Sequence, residues 1–365
     1  MIYDVVIVGA GAAGIGCGVV LQDLGMKRFL ILERANVGAS FDAWPEEMRF
    51  ITPSFTSNAF GMLDLNAIAL ATSPAFTLKV EHPSGREYAR YLRGVAAYFK
   101  LPIKGDCAVQ KIERESRIFI LHTSQGKLSA RFVIWAAGEF QYPDLNPFPG
   151  AEHCIHSAQI SKWSEIAGEE SLVIGGYESG VDAAVHLSQY GKRVTVLDSR
   201  SPWKIRESDP SVALSPYTRE RLAKNQSVEL VGKARVLRVE RSNSHFTIFG
   251  KKGQCWTTPN APILATGFRG SLSLVHDFFE WDERGQARLT DCDESTRVPG
   301  IFVAGPQVRH EKVIFCFIYK FRQRFAVIGQ AVGKRLGLST KPLDPYRQQG
   351  MFLEDLSCCK AKCQC

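Results

Sequence analysis

The chain has 365 residues, which is enough for two domains and a sizeable core. With 45% hydrophobic and 22% charged residues, its composition excludes a disordered or fibrous chain. The formal net charge is +8, but no basic run or nucleic-acid motif accompanies it, so we expect no nucleic-acid partner. The uncharged stretch 5–21 is rich in glycine and shorter than a membrane span, so we expect no membrane contact either.

The location of the protein is predicted from its first residues and its cysteines. The first predicted strand begins at residue 2, which leaves no room for a secretory signal before it. Ten cysteines are scattered without a small-domain disulfide spacing, except in the last eight residues. Both observations favour a reduced, cytoplasmic setting.

The strongest motif stands near the amino terminus. The apolar run 5–8 predicts a buried parallel strand, which leads into a complete G-x-G-x-x-G turn at Gly9, Gly11 and Gly14. A helix follows, and a second short strand ends in Glu33, close to the spacing of a carboxylate that binds a ribose hydroxyl. The order of strand, glycines, helix, strand and acid predicts a dinucleotide-binding unit, with the pyrophosphate at the helix N-terminus.

The opening pattern repeats about 165 residues later. Strand residues 171–174 lead into a turn with Gly175, Gly176, Ser179 and Gly180, and then into a helix and another strand. Tyr177 stands where the middle glycine of the motif is expected. Two nucleotide units in one chain suggest two dinucleotides, one for each unit.

The second unit also carries mixed signals for its nicotinamide dinucleotide. Its last strand ends at Asp198, an acid of the kind that binds the ribose diol of NADH. Arg200 follows two residues later, and an arginine there favours the 2′-phosphate of NADPH. We predict NADPH with Arg200 as the phosphate partner, and NADH is the alternative.

The last predicted elements are a strand that ends at Gly305 and a long helix over about 315–336. The aromatic spacing of i, i+4 and i+8 predicts a stripe packed on the core. The stripe consists of Phe317, Phe321 and Phe325. The basic residues between them are predicted to form a solvated face, and they are Lys320, Arg322 and Arg324.

Together these motifs resemble the two-dinucleotide-binding flavoproteins, which include thioredoxin reductases, bacilliredoxin reductases and flavin-containing monooxygenases. The resemblance covers nearly the whole chain. It implies FAD in the first unit and NADPH or NADH in the second. It also implies that stretches 136–138 and 265–267 mark the crossings between domains, and that Gly305 lies beside FAD. Pro306 replaces the aspartate that these flavoproteins usually carry.

Details within this group point two ways. Segments 52–54, 156–157 and 200–203 resemble flavin-dependent monooxygenases, although the fingerprint F-x-G-x-x-x-H before His156 is not intact. The second glycine turn resembles that of bacilliredoxin reductases, although their cysteine in the first glycine motif is Ala13 here. The paired redox cysteines of thioredoxin reductase and of the glutathione reductase group are both absent from the sequence.

The chain ends in a cluster of four cysteines, which are Cys358, Cys359, Cys363 and Cys365. Two lysines, Lys360 and Lys362, lie between them and would favour the nucleophilic thiolates. The cluster resembles the mobile cysteine tails of some thioredoxin reductases and of mercuric reductase. Three interpretations remain open, namely a redox relay, a soft-metal site and a tail without function. We assign these cysteines as the catalytic thiols and assign no metal ligands. We also expect the 28 residues from Leu338 to be flexible enough to cross a domain face.

The sequence thus predicts an α/β fold with two Rossmann-like domains. The FAD domain is predicted over 1–162 and 268–345, the inserted NAD(P) domain over 163–267, and a C-terminal tail over 346–365. The predicted reaction passes hydride from NAD(P)H to FAD. Electrons then pass through the tail cysteines to a disulfide or a related soft acceptor, on a small molecule or a thiol protein. The alternatives are an NADPH-dependent monooxygenase of a small molecule and an FAD-binding redox or metal sensor. A homodimer is compatible with each of these.

Overall fold

The computed structural model describes residues 1–56, 63–207, 209–311 and 313–357, so the four tail cysteines lie outside the described residues. The chain divides into two compact units. Of the described residues, unit 1 contains those in 1–42, 52–141 and 270–357, and unit 2 contains those in 43–51 and 142–269. Each unit is built on a sheet of mainly parallel strands with helices packed on it, and the predicted α/β fold is confirmed.

The strands have the following bounds. They are β1 (Ile2–Val8), β2 (Phe29–Leu32), β3 (Ile103–Lys104), β4 (Val109–Glu115), β5 (Ile118–Thr123), β6 (Gly126–Trp135), β7 (Ile155–His156), β8 (Glu170–Ile174), β9 (Arg193–Asp198), β10 (Val228–Gly232), β11 (Val236–Arg241), β12 (Phe246–Gly250), β13 (Cys255–Thr258), β14 (Ile263–Leu264), β15 (Ile301–Val303), β16 (Arg309–His310) and β17 (Val313–Ile314).

The α-helices lie between and after these strands. They are α1 (Ala12–Asp23), α2 (Ala39–Asp42), α3 (Pro74–Leu78), α4 (Gly85–Tyr98), α5 (Glu178–Gln189), α6 (Pro216–Ala223), α7 (Ile318–Phe321), α8 (Phe325–Arg335) and α9 (Asp344–Gln348). Helix α4 begins at a capping box, in which Ser84 and Glu87 satisfy each other's backbone N–H groups. No α-helix in the described part of the chain is both long and apolar enough to span a membrane.

Unit 1 contains a sheet in the order β3-β2-β1-β6-β5-β4, and β15 also pairs with β6. Strands β1, β2, β3, β6 and β15 are parallel, whereas β4 and β5 form an antiparallel extension. Strand β1, in the centre of this sheet, is fully buried over residues 5–7, as its β-branched composition predicts. The carboxyl ends of β1, β6 and β15 therefore meet at one edge, which is where doubly wound folds bind their ligands.

Unit 2 contains a parallel sheet in the order β10-β9-β8-β14-β7 and a separate antiparallel sheet, β11-β12-β13. Two segments that the sequence grouped with the FAD domain, 43–51 and 142–162, lie in this unit. The short strand β7 pairs with β14. The backbone N–H of Glu46 donates to Ser161 O at 2.8 Å, and Glu47 accepts the N–H of Trp163 at 3.2 Å. Each of these contacts joins segments that are distant in sequence, so the sequence alone did not reveal them.

The predicted long helix is interrupted, because a 3-10 turn over Arg322–Arg324 separates α7 from α8. The prediction that its basic residues are solvated is wrong for Arg322 and Arg324, which are 3% and 1% exposed. Arg322 lies buried because its guanidinium donates to the carbonyl of Ala67 at 2.9 Å and to that of Asp64. Arg324 lies buried because it pairs with a carboxylate, Asp293.

The prediction of a flexible chain from residue 338 onward is also wrong for its first part. The hydroxyl of Tyr346 donates to the Asp23 carboxylate at 2.6 Å, and Met351 is fully buried. The backbone N–H of Leu353 donates to the carbonyl of Gln323 at 3.0 Å. The chain is therefore anchored to unit 1 as far as residue 354, because Tyr346 and Met351 pack on that unit and the Glu354 carboxylate accepts a hydrogen bond from Gln330.

Candidate functional site

The first glycine turn combines two packed glycines with one open glycine. Gly9 has a φ of +107°, and a Cβ there would lie 2.5 Å from the carbonyl oxygen of Ala136. A Cβ on Gly14 would lie 1.8 Å from the carbonyl oxygen of Gly9, so the helix packs directly on the turn. A Cβ on Gly11 would meet nothing within 4 Å. The turn therefore leaves a cradle beside Gly11 that a side chain would fill.

Helix α1 presents an uncapped N-terminus to this cradle. Its N-cap is Gly11, which makes no side-chain hydrogen bond, and its first turn contains no acidic residue. The first N–H groups of a helix lack intrahelical partners, and the helix dipole favours negative charge there. The space, the donors and the lack of an acidic residue in the first turn of α1 all fit a pyrophosphate.

Glu33 lies at the carboxyl end of β2 and is mostly buried. Its Oε2 accepts the N–H of Ala10 at 2.7 Å, and its Oε1 accepts the N–H of Ala35 at 3.0 Å. A carboxylate offers about four acceptor sites. One remains on each oxygen of Glu33, which matches the two O–H donors of a ribose diol.

The second glycine turn repeats the packing of the first. Gly175 has a φ of +107°, and a Cβ there would lie 2.3 Å from the carbonyl oxygen of Ala265. A Cβ on Gly180 would lie 1.8 Å from the carbonyl oxygen of Gly175. A Cβ on Gly176 would collide with the ring of Trp203 at 2.3 Å. The two turns are therefore built in the same way, but an indole ring covers the second.

Tyr177 keeps the backbone conformation of the glycine that it replaces. Its φ and ψ are −90° and −165°, compared with −83° and −167° for Gly11. Its hydroxyl donates to the carbonyls of Pro210 and Ala213, so the ring points toward that loop. The tyrosine changes what occupies the space at this turn without changing the path of the chain.

The first turn of α5 contains Glu178 and the partly buried Ser179. Burial raises the pKa of the Glu178 carboxyl, although hydrogen bonds from Thr218 and Ser215 act in the opposite direction. The Thr218 hydroxyl donates to Glu178 Oε2 at 2.5 Å. Glu178 thus ties α5 to the start of α6. Its carboxyl is directed into these bonds, which reduces its repulsion of an anion at the helix N-terminus.

Asp198 and Arg200 have different amounts of bonding capacity left. Asp198 Oδ2 accepts the N–H of Gly176 at 2.9 Å, and Oδ1 accepts the N–H groups of Arg200 and Ser201 at 2.6 and 2.8 Å. Three of its roughly four acceptor sites are therefore used inside the protein. The side chain of Arg200 is exposed. This pair fits a 2′-phosphate better than it fits a ribose diol.

The late strand β15 ends next to the first glycine turn. Gly305 has a φ of +108°, and a Cβ there would lie 3.2 Å from the Cβ of Ala13. Gln307 accepts hydrogen bonds from the backbone N–H and the hydroxyl of Ser271, and Ser271 in turn accepts the indole N–H of Trp135. The loops after β1, β6 and β15 are thus fixed against one another at the carboxyl edge of the sheet.

His156, the residue of the monooxygenase-like fingerprint, is fixed in the backbone of unit 2. Its Nδ1 accepts the N–H of Ala158 at 3.1 Å, which places the ring proton on Nε2. Nε2 then donates to the carbonyl of Gly267 at 3.1 Å. Burial lowers the pKa of this imidazole. Its role in the structure is to join the strand ends at β7 and β14.

Sequence reasoning missed three titratable residues at the carboxyl edge of the unit 1 sheet. They are Glu139, Arg309 and Cys316, and they follow strands rather than form a motif. Only the position of Glu139, just beyond the predicted crossing at 136–138, gave a signal. The tail cysteines lie outside the described residues. Within the ranges that the structure describes, no group of three or more His, Cys, Asp or Glu residues could hold a metal.

Two glycine-turn units, each with a parallel sheet and an uncapped helix N-terminus, define an oxidoreductase with two dinucleotide sites. The family model described as pyridine nucleotide-disulphide oxidoreductase matches residues 6–305, and the chain belongs to this family. The predicted recognition and the prediction of an enzyme are thereby confirmed.

Similar proteins include the uncharacterized oxidoreductase CzcO of Bacillus velezensis, 29% identical over 53% of this chain and 54% of that protein. The chain thus spans about half the length of the curated relatives that it matches in this way. The bacillithiol disulfide reductase Bdr (YpdA) from Bacillus cereus has a TM-score of 0.72 and 24% identity, over 92% of this chain and all of that one. A flavin-containing monooxygenase from Stenotrophomonas maltophilia also has a TM-score of 0.72. It is 19% identical, over 92% of this chain and all of that one. These structures share the fold.

Proposed function

We propose that the protein is an FAD-dependent oxidoreductase that takes hydride from NADPH and passes electrons to a disulfide. The observation that carries this proposal is the pairing of an open pyrophosphate cradle at Gly11 with four cysteines that follow a chain anchored at Leu353. The first feature fits a bound dinucleotide, and the second provides thiols on a short tether. The family of the chain includes disulfide oxidoreductases by its own description.

FAD is assigned to the first unit, and NADPH to the second. The carboxylate of Glu33 retains an acceptor site on each oxygen for a ribose diol, whereas Asp198 retains about one. A ribose diol therefore fits the first unit, and a 2′-phosphate beside Arg200 fits the second. Guanidinium groups recognise phosphates through several parallel hydrogen bonds.

The protein supplies position and electrostatics, while bound FAD stores the two electrons of the hydride. The N-terminus of α1 binds the pyrophosphate, and Gly11 allows the backbone to approach it. Glu33 fixes the ribose. Trp203 and Tyr177 shape the second turn, and Arg200 holds the phosphate end of the donor. Packing of the loops after β1, β6 and β15 holds the first binding site rigid.

The acceptor is a disulfide, on a small molecule or on a thiol protein, reached through the tail cysteines. The tether from Leu353 to Cys358 is five residues long and can extend over about 17 Å. Lys360 and Lys362 lie between the cysteines and favour their thiolates. The solved Bdr structure with the same fold carries the name of a disulfide reductase. We propose the cytoplasm as the location, since Cys17, Cys107, Cys154, Cys255 and Cys292 in the described ranges are reduced thiols.

The test is truncation after Leu356, which retains the anchor. NADPH should still bleach the flavin absorbance of the truncated protein, but turnover with a small disulfide should fall at least tenfold. A full-length chain with all four tail cysteines replaced by serine should behave in the same way. Replacement of the exposed thiol, Cys255→Ser, is the matched control and should leave turnover unchanged.

Three other outcomes would redirect the assignment. Unchanged disulfide turnover after truncation would show that the tail carries no electrons. Oxygen-dependent product formation that survives truncation would support a monooxygenase. A yellow protein that NADPH and NADH both fail to reduce would support a redox or metal sensor.

A further inference from the structure

Three titratable side chains of unit 1 follow the ends of strands. Glu139 follows β6 by four residues, and Arg309 follows β15 by six residues. Cys316 follows β17 by two residues. Strands β6 and β15 pair in parallel, and β6 also pairs in parallel with β1. Glu139 and Arg309 therefore follow the sheet edge that carries the cradle of Gly11, and Cys316 joins them through the hairpin of β16 and β17 to form one cluster.

The hairpin of β16 and β17 brings the thiol and the guanidinium together. Arg309 is the cross-strand partner of Ile314, and the N–H of Phe315 donates to the carbonyl of Val308. The extended pairing thus continues beyond β17, and Cys316 lies two residues after the partner of Arg309, on the same face. The Arg309 guanidinium also donates to the carbonyls of Val308, at 2.8 Å, and Pro306.

The charges of the three groups act on one another. Burial lowers the pKa of Arg309, while the nearby Cys316 and Glu139 raise it in their ionised forms. Burial raises the pKa of the Glu139 carboxyl, and the charge of Arg309 offsets part of that shift. The Glu139 carboxyl makes no hydrogen bond within the described ranges, although its side chain is only partly exposed.

We propose that Cys316 is the nucleophile that receives an incoming disulfide, that Arg309 holds its thiolate, and that Glu139 protonates the departing thiolate. This inference rests on the proposed function and specifies the thiol that acts in it. The disulfide comes from an external substrate or from the tail cysteines. Either source presents the same sulfur–sulfur bond to the cluster.

The exchange step balances in atoms and electrons. The Cys316 thiolate attacks one sulfur of the disulfide, a new sulfur–sulfur bond forms, and the old bond breaks. The leaving sulfur departs as a thiolate and takes a proton from Glu139. Two electrons, supplied by NADPH through the flavin, then cleave the mixed disulfide and regenerate the Cys316 thiolate together with a second thiolate. The second thiolate and the Glu139 carboxylate then take up protons from the medium, and the sum is one disulfide, one NADPH and one proton converted to two thiols and NADP⁺.

The first experiment detects the mixed disulfide without any turnover. The full chain with its four tail cysteines replaced by serine is treated with one equivalent of a dipyridyl disulfide, without NADPH. Release of about one equivalent of pyridinethione and a pyridylthio adduct on the peptide that contains Cys316 is expected. Cys316→Ser should abolish that adduct. Cys292→Ser, which removes another partly buried thiol of unit 1, should leave it intact. An adduct confined to Cys255 or Cys292 would overturn the proposal.

The second experiment tests the two positioning roles. Arg309→Gln should slow adduct formation at Cys316 at least tenfold at pH 7, because fewer thiolates form. Arg309→Lys should recover part of the rate, since a positive charge is restored. Glu139→Gln should leave the rate of iodoacetamide alkylation at Cys316 nearly unchanged but slow disulfide exchange. Equal rates in all these variants would contradict the roles of Arg309 and Glu139.

The third experiment identifies the source of the disulfide and separates this inference from the function on which it rests. The Cys316→Ser variant is prepared with its tail intact and in the oxidised state. Its turnover of external disulfides should fall at least tenfold, while NADPH should still bleach the flavin absorbance. If the tail is the source, wild-type protein should show a Cys316–tail crosslink by mass spectrometry of non-reduced peptides. If the purified protein contained no flavin, the proposed function itself would be wrong. If the flavin-loaded Cys316→Ser variant kept the full rate of disulfide turnover, only this inference would be wrong.

Discussion

Asp293 and Arg324 form an ion pair in the core of unit 1. The Nε of Arg324 lies 2.9 Å from Oδ2 of Asp293, and its second terminal nitrogen lies 3.0 Å from Oδ1. The side chain of Arg324 is 1% exposed, and that of Asp293 is 0% exposed. His310 donates to the same carboxylate at 2.6 Å, and Arg324 also donates to the carbonyls of Asp291 and Leu353. One buried pair thus connects the late strand, α8 and the chain that leads to the tail.

Removal of one partner from this pair should strongly destabilise the fold. Arg324→Met leaves the Asp293 carboxylate buried without its main counter-charge, which costs about 3–5 kcal/mol in the free energy of unfolding. Denaturant unfolding measures the change. Arg28→Ala breaks the exposed pair with Asp4 and serves as the control, with an expected loss below about 1 kcal/mol. Equal losses in the two variants would show that the buried pair has no special role.

Gly11→Val should give a folded protein without flavin. The φ of Gly11 is −83° and its Cβ position is open, so valine fits the backbone but fills the pyrophosphate cradle. FAD released on denaturation, relative to protein, should fall at least tenfold. Gly94→Val is a matched control, because Gly94 also has open space at its Cβ position and lies in α4. If the Gly11 variant retains its flavin, the first unit does not bind FAD in this way.

Arg200→Ala should shift the preference between the two nicotinamide donors. We expect the KM for NADPH to rise at least tenfold with little change for NADH, because only NADPH carries the 2′-phosphate. Steady-state rates of flavin reduction with each donor measure this. The control is Arg193→Ala, which removes another exposed arginine from the same strand region. An equal effect on both donors would assign Arg200 a general role rather than a selective one.

The buried carboxyl of Asp182 should make unit 2 sensitive to acid. Burial raises its pKa, but His186 and Arg221 lower it by more, so the net pKa lies below the usual 3.8. A lowered pKa stabilises the fold above about pH 4, and this contribution is lost as pH falls through the folded pKa.

Asp182→Asn tests this contribution. Its destabilisation relative to wild type should be about 3 kcal/mol at pH 6, because Arg221 loses its partner, and should shrink as pH is lowered below 4. Denaturant unfolding at pH 6, 4 and 3 measures the difference. Asp277→Asn, at an exposed carboxyl, should show no such trend. A difference that is constant with pH would contradict the lowered pKa.

The glycine turns were predictable because they are local. The packing of Gly9 against Ala136 is not visible in the sequence, but the spacing of strand, turn and helix is, and it specifies the cradle without knowledge of distant contacts. Asp198 shows the limit of this approach. Its identity and position suggested a ribose ligand, whereas its bonds to three backbone N–H groups become apparent only in three dimensions.

The buried arginines were not predictable. In a helical pattern, Arg322 and Arg324 look like a solvated face, because arginine is rarely buried without partners. Their partners are Asp64 and Ala67 for the first and Asp293 for the second. These lie at least 31 residues away in sequence. For the same reason, Cys316 carried no signal, since its neighbour Arg309 meets it only through the hairpin.

The anchor at Leu353 has a consequence for competition between thiols. A tether of five residues spans at most about 17 Å when it is fully extended. Confinement on a tether of this length gives an effective concentration in the millimolar range at any group within reach. A dissolved thiol must reach a similar concentration to react there as often. Under the proposed function, the hydrogen bond between Leu353 and Gln323 thus helps the chain's own cysteines to compete with thiols in solution.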